Sequence, residues 1–214
     1  MADAHQAVAI AVTGASGAVY ATRTVAALLE RGVHVELIVS DYGRRLLRDE
    51  LGEQASVDRL MPFLTEKYGA GVGAGTMTIH SNRDLGATIA SGSHGCSGMA
   101  IVPCSMKTLA GIRAGYADGL VGRAADVILK ERRKLVLVPR ETPLSEIHLE
   151  NMLDLARRGA QVVPPMPAFY SHPQSVDDIV DHVVARILDQ FDLPAPDAKR
   201  WDGIRAARGM HSVA

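Results

Sequence analysis

The segment Val8-Ala9-Ile10-Ala11-Val12-Thr13-Gly14-Ala15-Ser16-Gly17-Ala18 decides how the rest of the chain is read. Val8 to Val12 form an apolar run that suits a strand buried on both faces, and the alanine-rich pattern that follows as far as Arg31 has helical spacing. A strand that enters a helix through glycines leaves the first N–H groups of that helix unpaired and pointing at one spot, where an anion binds readily. Gly14 and Gly17 let backbone approach a ligand, and Ser16 offers a hydroxyl. Gly14-x-x-Gly17 is shorter than the dinucleotide fingerprint G-x-G-x-x-G, and tight strand-to-helix turns use glycine for steric reasons too. Phosphate contact and plain turn geometry both stand open at this loop.

Outward from this junction the same pattern returns. Helix one, Ser16 to Arg31, stops at Gly32, whose missing Cβ permits a left-handed cap, and strand two, Val33 to Val39, completes a βαβ unit. Ser40 and Asp41 stand where dinucleotide-binding sheets carry a ribose-binding acid; capping of a helix Tyr42 to Leu51 by Asp41 is the favoured reading. Val57 to Tyr68 has helical spacing, Gly69 to Gly75 breaks regular structure, and Thr76 to His80 suits a strand. The small, polar stretch Ile89 to Gly98 is a loop over a ligand or a surface connection. The first is favoured because the apolar strand Met99 to Pro103 follows at once. That strand ends in Cys104-Ser105-Met106-Lys107-Thr108, a second strand-to-helix junction with Ser105 as N-cap. Cys104 has no histidine near it in sequence and reads as a buried structural thiol rather than a nucleophile.

Helix Leu120 to Arg133 holds Arg123 and Lys130 on one face, roughly 10 Å apart along the axis, which suits two separate phosphates or a solvated face. Lys134 to Pro139 is another buried-strand run and ends in Arg140-Glu141-Thr142-Pro143. Ligands of open α/β sheets bind beyond the carboxyl ends of strands, so this Arg and Glu can hold an anion and move a proton; a surface ion pair is the competing account. Helix Leu144 to Arg158 ends at Gly159. Strand Gln161 to Val163, a proline-stiffened loop Pro164 to Tyr170, a helix near Ser175 to Phe191 with Asp177, Asp178, His182 and Arg186, and a tail with the single Trp201 complete the chain.

These elements make one α/β domain over residues 1–214, with a core of about 8–191 and a tail 192–214. The expected architecture is a Rossmann-like or flavodoxin-like three-layer open parallel sheet with helices on both faces. Such a length buries about 70% of the unfolded surface. With 23 basic and 24 acidic residues there is no basic field for nucleic acid, and no apolar run is long enough to span a bilayer. Two cysteines make neither a disulfide framework nor a C-x-x-C site, so a reducing cytoplasm is the expected location. The spacing of the 8 histidines builds no recognisable metal site.

Several motifs, taken in order and spacing, carry a resemblance. They are Gly14-Ala15-Ser16-Gly17-Ala18, Ser91-Gly92-Ser93, Pro103-Cys104-Ser105, Arg123-Ala124-Ala125-Asp126-Val127 with Leu129-Lys130-Glu131-Arg132, and Leu137-Val138-Pro139-Arg140-Glu141-Thr142-Pro143. Pro167-Ala168-Phe169-Tyr170 with Pro173-Gln174-Ser175 completes the set. From Val8 to about Trp201 the chain resembles the flavin prenyltransferases of the UbiX type. That resemblance implies transfer of a dimethylallyl group from dimethylallyl phosphate to N5 and C6 of reduced FMN, giving prenylated FMN for UbiD-type decarboxylases. It implies FMN contacts at Gly14, Ala15, Ser16, Ser40, Ser105, Met106, Lys107, Thr108, Arg123 and Arg140, and prenyl-phosphate contacts at Lys130, Arg140, Tyr170 and Arg186. It places Ser16, Glu141, Lys130, Arg140, Glu50 and Trp201 at the reaction, and it implies a homododecamer with sites at subunit junctions.

The implied chemistry is coherent without a metal. Lys130, Arg140 and Arg186 can neutralise a departing phosphate, the task magnesium performs for diphosphates. The flavin face and Trp201 can stabilise allyl cation character, and Glu141 can shuttle protons. Two other classes would use the same strand ends: a non-catalytic FMN carrier, and a flavin-dependent decarboxylase of peptidyl or pantothenoyl cysteine. The latter carries a histidine after strand one and a P-A-S-A-N-M-N loop, where this chain has Pro103-Cys104-Ser105-Met106. A nicotinamide oxidoreductase would need the full G-x-G-x-x-G and a clear acid after strand two, and both are missing.

Overall fold

A computed structural model describes residues 7–195. Six strands, β1 (Ala7–Val12), β2 (His34–Val39), β3 (Thr76–Ser81), β4 (Gly98–Cys104), β5 (Lys134–Pro139) and β6 (Gln161–Val162), form one parallel sheet in the order β3-β2-β1-β4-β5-β6. The strand order reverses between β1 and β4, the switch point where open sheets leave a crevice beyond the strand ends. Seven α-helices connect them: α1 (Ala18–Leu29), α2 (Asp41–Leu51), α3 (Leu60–Tyr68), α4 (Met106–Arg113), α5 (Leu120–Lys130), α6 (Glu146–Arg157) and α7 (Val176–Asp189).

Alternation along the strands sorts the core into two layers. Val8, Ile10, Val12, Val35, Leu37 and Val39 face α1, α3 and α7. Ala9, Ala11, Ile38, Met99 and Ile101 face α4, α5 and α6. Both faces are covered, so β1 is buried along its whole length and its sequence reads as one apolar run. Cutting back a fully buried side chain here, such as Ile10 or Leu137, costs about 3 kcal/mol.

Element ends differ from the sequence expectation for local reasons. Helix α1 begins at Ala18 rather than Ser16, because Gly17 adopts φ +125°, a conformation outside the helix that favours glycine. Ser40, not Asp41, caps α2: its Oγ accepts the Gly43 N–H at 3.0 Å, while Asp41 pairs with Arg83 at 3.2 Å. Gly69 to Gly75 is not wholly irregular, since Ala70–Ala74 forms a 3-10 turn. Helix α5 stops at Lys130, where Arg132 turns left-handed at φ +54° and the Arg133 N–H bonds back to the Ile128 carbonyl at 2.9 Å.

Candidate active site at the carboxyl ends of the strands

Thr13 ties the two central junctions together. It is 1% exposed, donates its hydroxyl to the Pro103 carbonyl at 2.8 Å and accepts the Ser105 N–H at 2.8 Å. The loop after β1 is thereby fastened to the loop after β4 across the switch point. Gly14 lies against Tyr42, whose Cβ would stand 2.6 Å from any side chain placed there, and Ser16 is exposed above it.

The amides at the two helix entrances meet different fates. At α1, the Glu50 carboxylate at the end of α2 accepts the Gly17 N–H at 3.0 Å and the Ala18 N–H at 2.8 Å. A carboxylate already complements that positive end, so these two amides are not open to a second anion. At α4, Ser105 caps the helix by accepting the Thr108 N–H at 3.3 Å, and the two hydroxyls lie 2.9 Å apart. The amides of Met106 and Lys107, in the first turn, have no partner within the helix. Hydroxyls, open amides and a positive helix end at α4 fit a phosphate monoester such as that of FMN. The Met106 side chain is buried, so its backbone is what it offers; the Lys107 ammonium turns outward to Asp118 at 3.8 Å.

Beyond β5, Arg140 reaches across the crevice. Its Nε donates to the Ser16 carbonyl at 3.1 Å, and its backbone N–H bonds to the Cys104 carbonyl at 3.4 Å. Glu141 follows, exposed, with Oε1 accepting the Thr142 N–H at 3.1 Å. Ser40 follows β2, and its N–H bonds to the Val12 carbonyl at the end of β1 at 3.0 Å. One chain therefore gathers Gly14, Ala15, Ser16, Ser40, Glu50, Ser105, Met106, Thr108, Arg140 and Glu141 at the ends of β1, β2, β4 and β5.

Other expected residues lie apart from this group. Arg123, in the first turn of α5, pairs with Asp126 at 3.0 Å and is 42% exposed. Lys130 ends α5 and pairs with Glu131. It sits at the amino end of β5 while Arg140 sits past its carboxyl end, so the strand's length, roughly 20 Å at 3.3 Å per residue, separates them. Tyr170 rests edge-on against His182 on α7, ring centroids 5.7 Å apart and planes at 84°. Arg186, one turn further along α7, pairs with Asp189 at 2.8 Å and lines a cavity of about 420 Å³ with Gln161 and His182. The four groups expected at the prenyl phosphate thus occupy three places in one chain. Trp201 lies outside the described residues.

Two features escaped the sequence reading. Thr13 is one. The other is Glu36, 5% exposed on β2, whose carboxylate meets His80 Nε2 at 2.5 Å, His94 Nε2 at 3.1 Å and His34 Nε2 at 3.5 Å. Burial pushes the Glu36 carboxyl up, but the His80 hydrogen bond and the charges of His80, His34 and His94 hold it below the ordinary carboxylate value. An acid inside the apolar run Val33 to Val39 was the available signal. Cys104 is fully buried and burial pushes its thiol up to about 12, so it is no nucleophile at neutral pH.

Comparison with known proteins agrees with this geometry. The profile of the family described as Flavoprotein matches residues 2–188. A protein of Streptomyces sp. (strain D7) named probable UbiX-like flavin prenyltransferase is 60% identical over 200 residues, covering 93% of either chain. The dodecameric FMN-dependent Ubix-like decarboxylase from Escherichia coli O157:H7 superimposes with a TM-score of 0.81 at 52% identity, over 92% of this chain and all of that one. AnUbiX (PadA1), solved in complex with FMN and dimethylallyl pyrophosphate, gives 0.82 at 41% identity, over 93% of this chain and 98% of that one. The chain belongs to the Flavoprotein family, among its UbiX-like flavin prenyltransferases.

Proposed function

We infer that this chain, as a single domain, transfers a dimethylallyl group from dimethylallyl phosphate to reduced FMN, and that the product serves a UbiD-type decarboxylase. The observation that carries this reading is the unequal fate of the two helix entrances. Glu50 fills the one at α1, while the one at α4 stands open beside Arg140, Glu141 and Ser16. Ser105, Thr108 and the Met106 and Lys107 amides would hold the FMN phosphate, with the Gly14-Ala15-Ser16 wall and Ser40 along the rest of the molecule and Arg123, which lies apart from them in one chain, reaching the flavin from a neighbouring copy. When bound and reduced, FMN supplies the nucleophilic N5 and C6 positions.

The protein's own groups do the rest. Arg140 would face the negative charge that develops on a leaving phosphate, and a guanidinium already tethered to the Ser16 carbonyl needs little reorganisation to stabilise that charge. Glu141, exposed and adjacent, donates a proton to the phosphate and removes one from C6. Cationic help from Lys130 and Arg186, and the Tyr170 hydroxyl, comes from neighbouring copies. The separation along β5 supports this, as do the exposed apolar side chains Leu149 and Leu153 on α6 and Met166 and Phe169 in the loop before α7. We read the assembly as a homododecamer like the solved relative, with its sites at subunit junctions. Among the described residues no helix is long and apolar enough to cross a membrane. Cys96 and Cys104 are both buried and unpaired, which supports a cytoplasmic location.

Lys130→Met separates this reading from that of an FMN carrier. The variant binds FMN with wild-type affinity and loses prenyl transfer by at least about 100-fold. Undiminished turnover would remove Lys130 from the mechanism.

A further inference from the structure

Helix α5 starts without a cap of its own. Gly119 stands at its N-cap position, and a glycine offers no side-chain acceptor to the first-turn amides. Two of those amides are taken instead by one residue from far back in the chain. The Asn82 carbonyl accepts the Leu120 N–H at 2.8 Å, and Asn82 Oδ1 accepts the Val121 N–H at 3.0 Å. Gly119 has extended backbone, φ −166°, which any residue adopts, so its missing side chain serves space rather than conformation. A Cβ there would stand 2.7 Å from Asn82 Nδ2 and 3.0 Å from both Asn82 oxygens, and these three are the nearest atoms it would meet. Asn82 follows β3 directly, in a turn that is itself held. The Asp84 N–H bonds to the Ser81 carbonyl at 3.0 Å, and Arg83 Nη2 donates to Asp41 at the start of α2 at 3.2 Å. The entrance of α5 is thereby fastened to the carboxyl end of the sheet's edge strand.

We propose that Asn82 is a positioning residue for FMN binding: as the remote cap of α5 it sets where the first turn of that helix presents the Arg123 guanidinium. The proposal rests on the assignment of Arg123 to FMN. Arg123 lies within the capped turn, its own N–H bonding to the Gly119 carbonyl at 3.0 Å, so a shift of that turn carries it along. Asp126, one turn further along α5, accepts from Arg123 Nη1 at 3.0 Å, so stem and head move with the helix as one unit. On a frayed turn an exposed arginine samples many directions; on a capped turn it is held in few.

FMN Kd, from the change in flavin fluorescence on binding, and thermal midpoint are measured for the wild type, Asn82→Ala, Asn82→Asp, Arg123→Ala and the double variant Asn82→Ala with Arg123→Ala. The expected result is a Kd raised about tenfold in Asn82→Ala, because the orphaned Val121 amide lets the first turn fray and misplaces the guanidinium. Asn82→Asp keeps an acceptor oxygen in place, complements the positive helix end and stays within about twofold of wild type. The double variant shows the Kd of Arg123→Ala alone, since a residue that acts through another has no effect once that one is gone. Gly119→Ala, whose added methyl displaces Asn82, gives the Asn82→Ala pattern by a separate route and stands in for that variant should it not fold. An Asn82→Ala protein with a lowered midpoint but wild-type Kd, or an Asn82→Ala effect that persists undiminished on Arg123→Ala, overturns the positioning role and leaves a cap that serves the fold only. Wild-type Kd in Arg123→Ala overturns instead the assignment of Arg123, a distinct and recognisable failure.

Discussion

At the scale of single residues, the carboxylates decide most. Glu36 is buried among His34, His80 and His94, with burial raising its carboxyl and the His80 bond and the three imidazoles lowering it more. A carboxyl whose folded value lies below the unfolded one, about 4.3, contributes stability that is complete above the unfolded value and lost as pH falls through the folded one. Glu36→Gln therefore costs about 2 kcal/mol at pH 6 and progressively less as pH drops through and below about 4. Urea unfolding of both proteins at several pH values measures this, and a pH-independent gap would contradict it. Glu50 shows what sequence could not reveal. Resemblance alone marked it, because its partner Gly17 lies 33 residues away and the contact exists only once α2 has packed beside the first loop. Thr13 was invisible for the same reason, its partner Pro103 being 90 positions distant.

Elements were more legible than residues. Val8 to Val12 and Lys134 to Pro139 announced themselves because strands covered on both faces carry unbroken apolar runs. Their ends were less legible, since a left-handed Gly17 or Arg132 and a side-chain cap from Ser40 are set by the local backbone and not by periodicity. Helical spacing put Arg123 and Lys130 on one face of α5 but could not show that α5 carries Lys130 to the amino edge of the sheet, away from Arg140. That placement makes a prediction. Lys130→Met and Glu141→Gln chains, each inactive alone, regain about a quarter of wild-type transfer when co-expressed at equal levels, because some junctions draw Lys130 and Glu141 from intact partners. Mixed assemblies with no recovered activity would mean that one chain supplies both groups.

At the scale of the whole molecule, the strand order β3-β2-β1-β4-β5-β6 puts the reversal between β1 and β4, and Thr13 fastens the two loops that flank it. The parallel sheet with covered faces was readable from strand and helix alternation. The division of the site among copies that we propose was marked by the resemblance alone, since no pattern in one chain records which side chains a neighbour will face. What was first half of a dinucleotide fingerprint is, in the folded chain, a loop whose Gly17 and Ala18 amides Glu50 satisfies, and the entrance that we propose for the anion is the one Ser105 caps, at the start of α4. The central claim is that the crevice at these strand ends prenylates FMN. Its most direct test is anaerobic incubation of the purified protein with FMN, dithionite and dimethylallyl phosphate, followed by the mass of the flavin released. The account predicts a flavin heavier by one C5H8 unit, formed over many turnovers; FMN returned unmodified would contradict it and leave a carrier of FMN in its place.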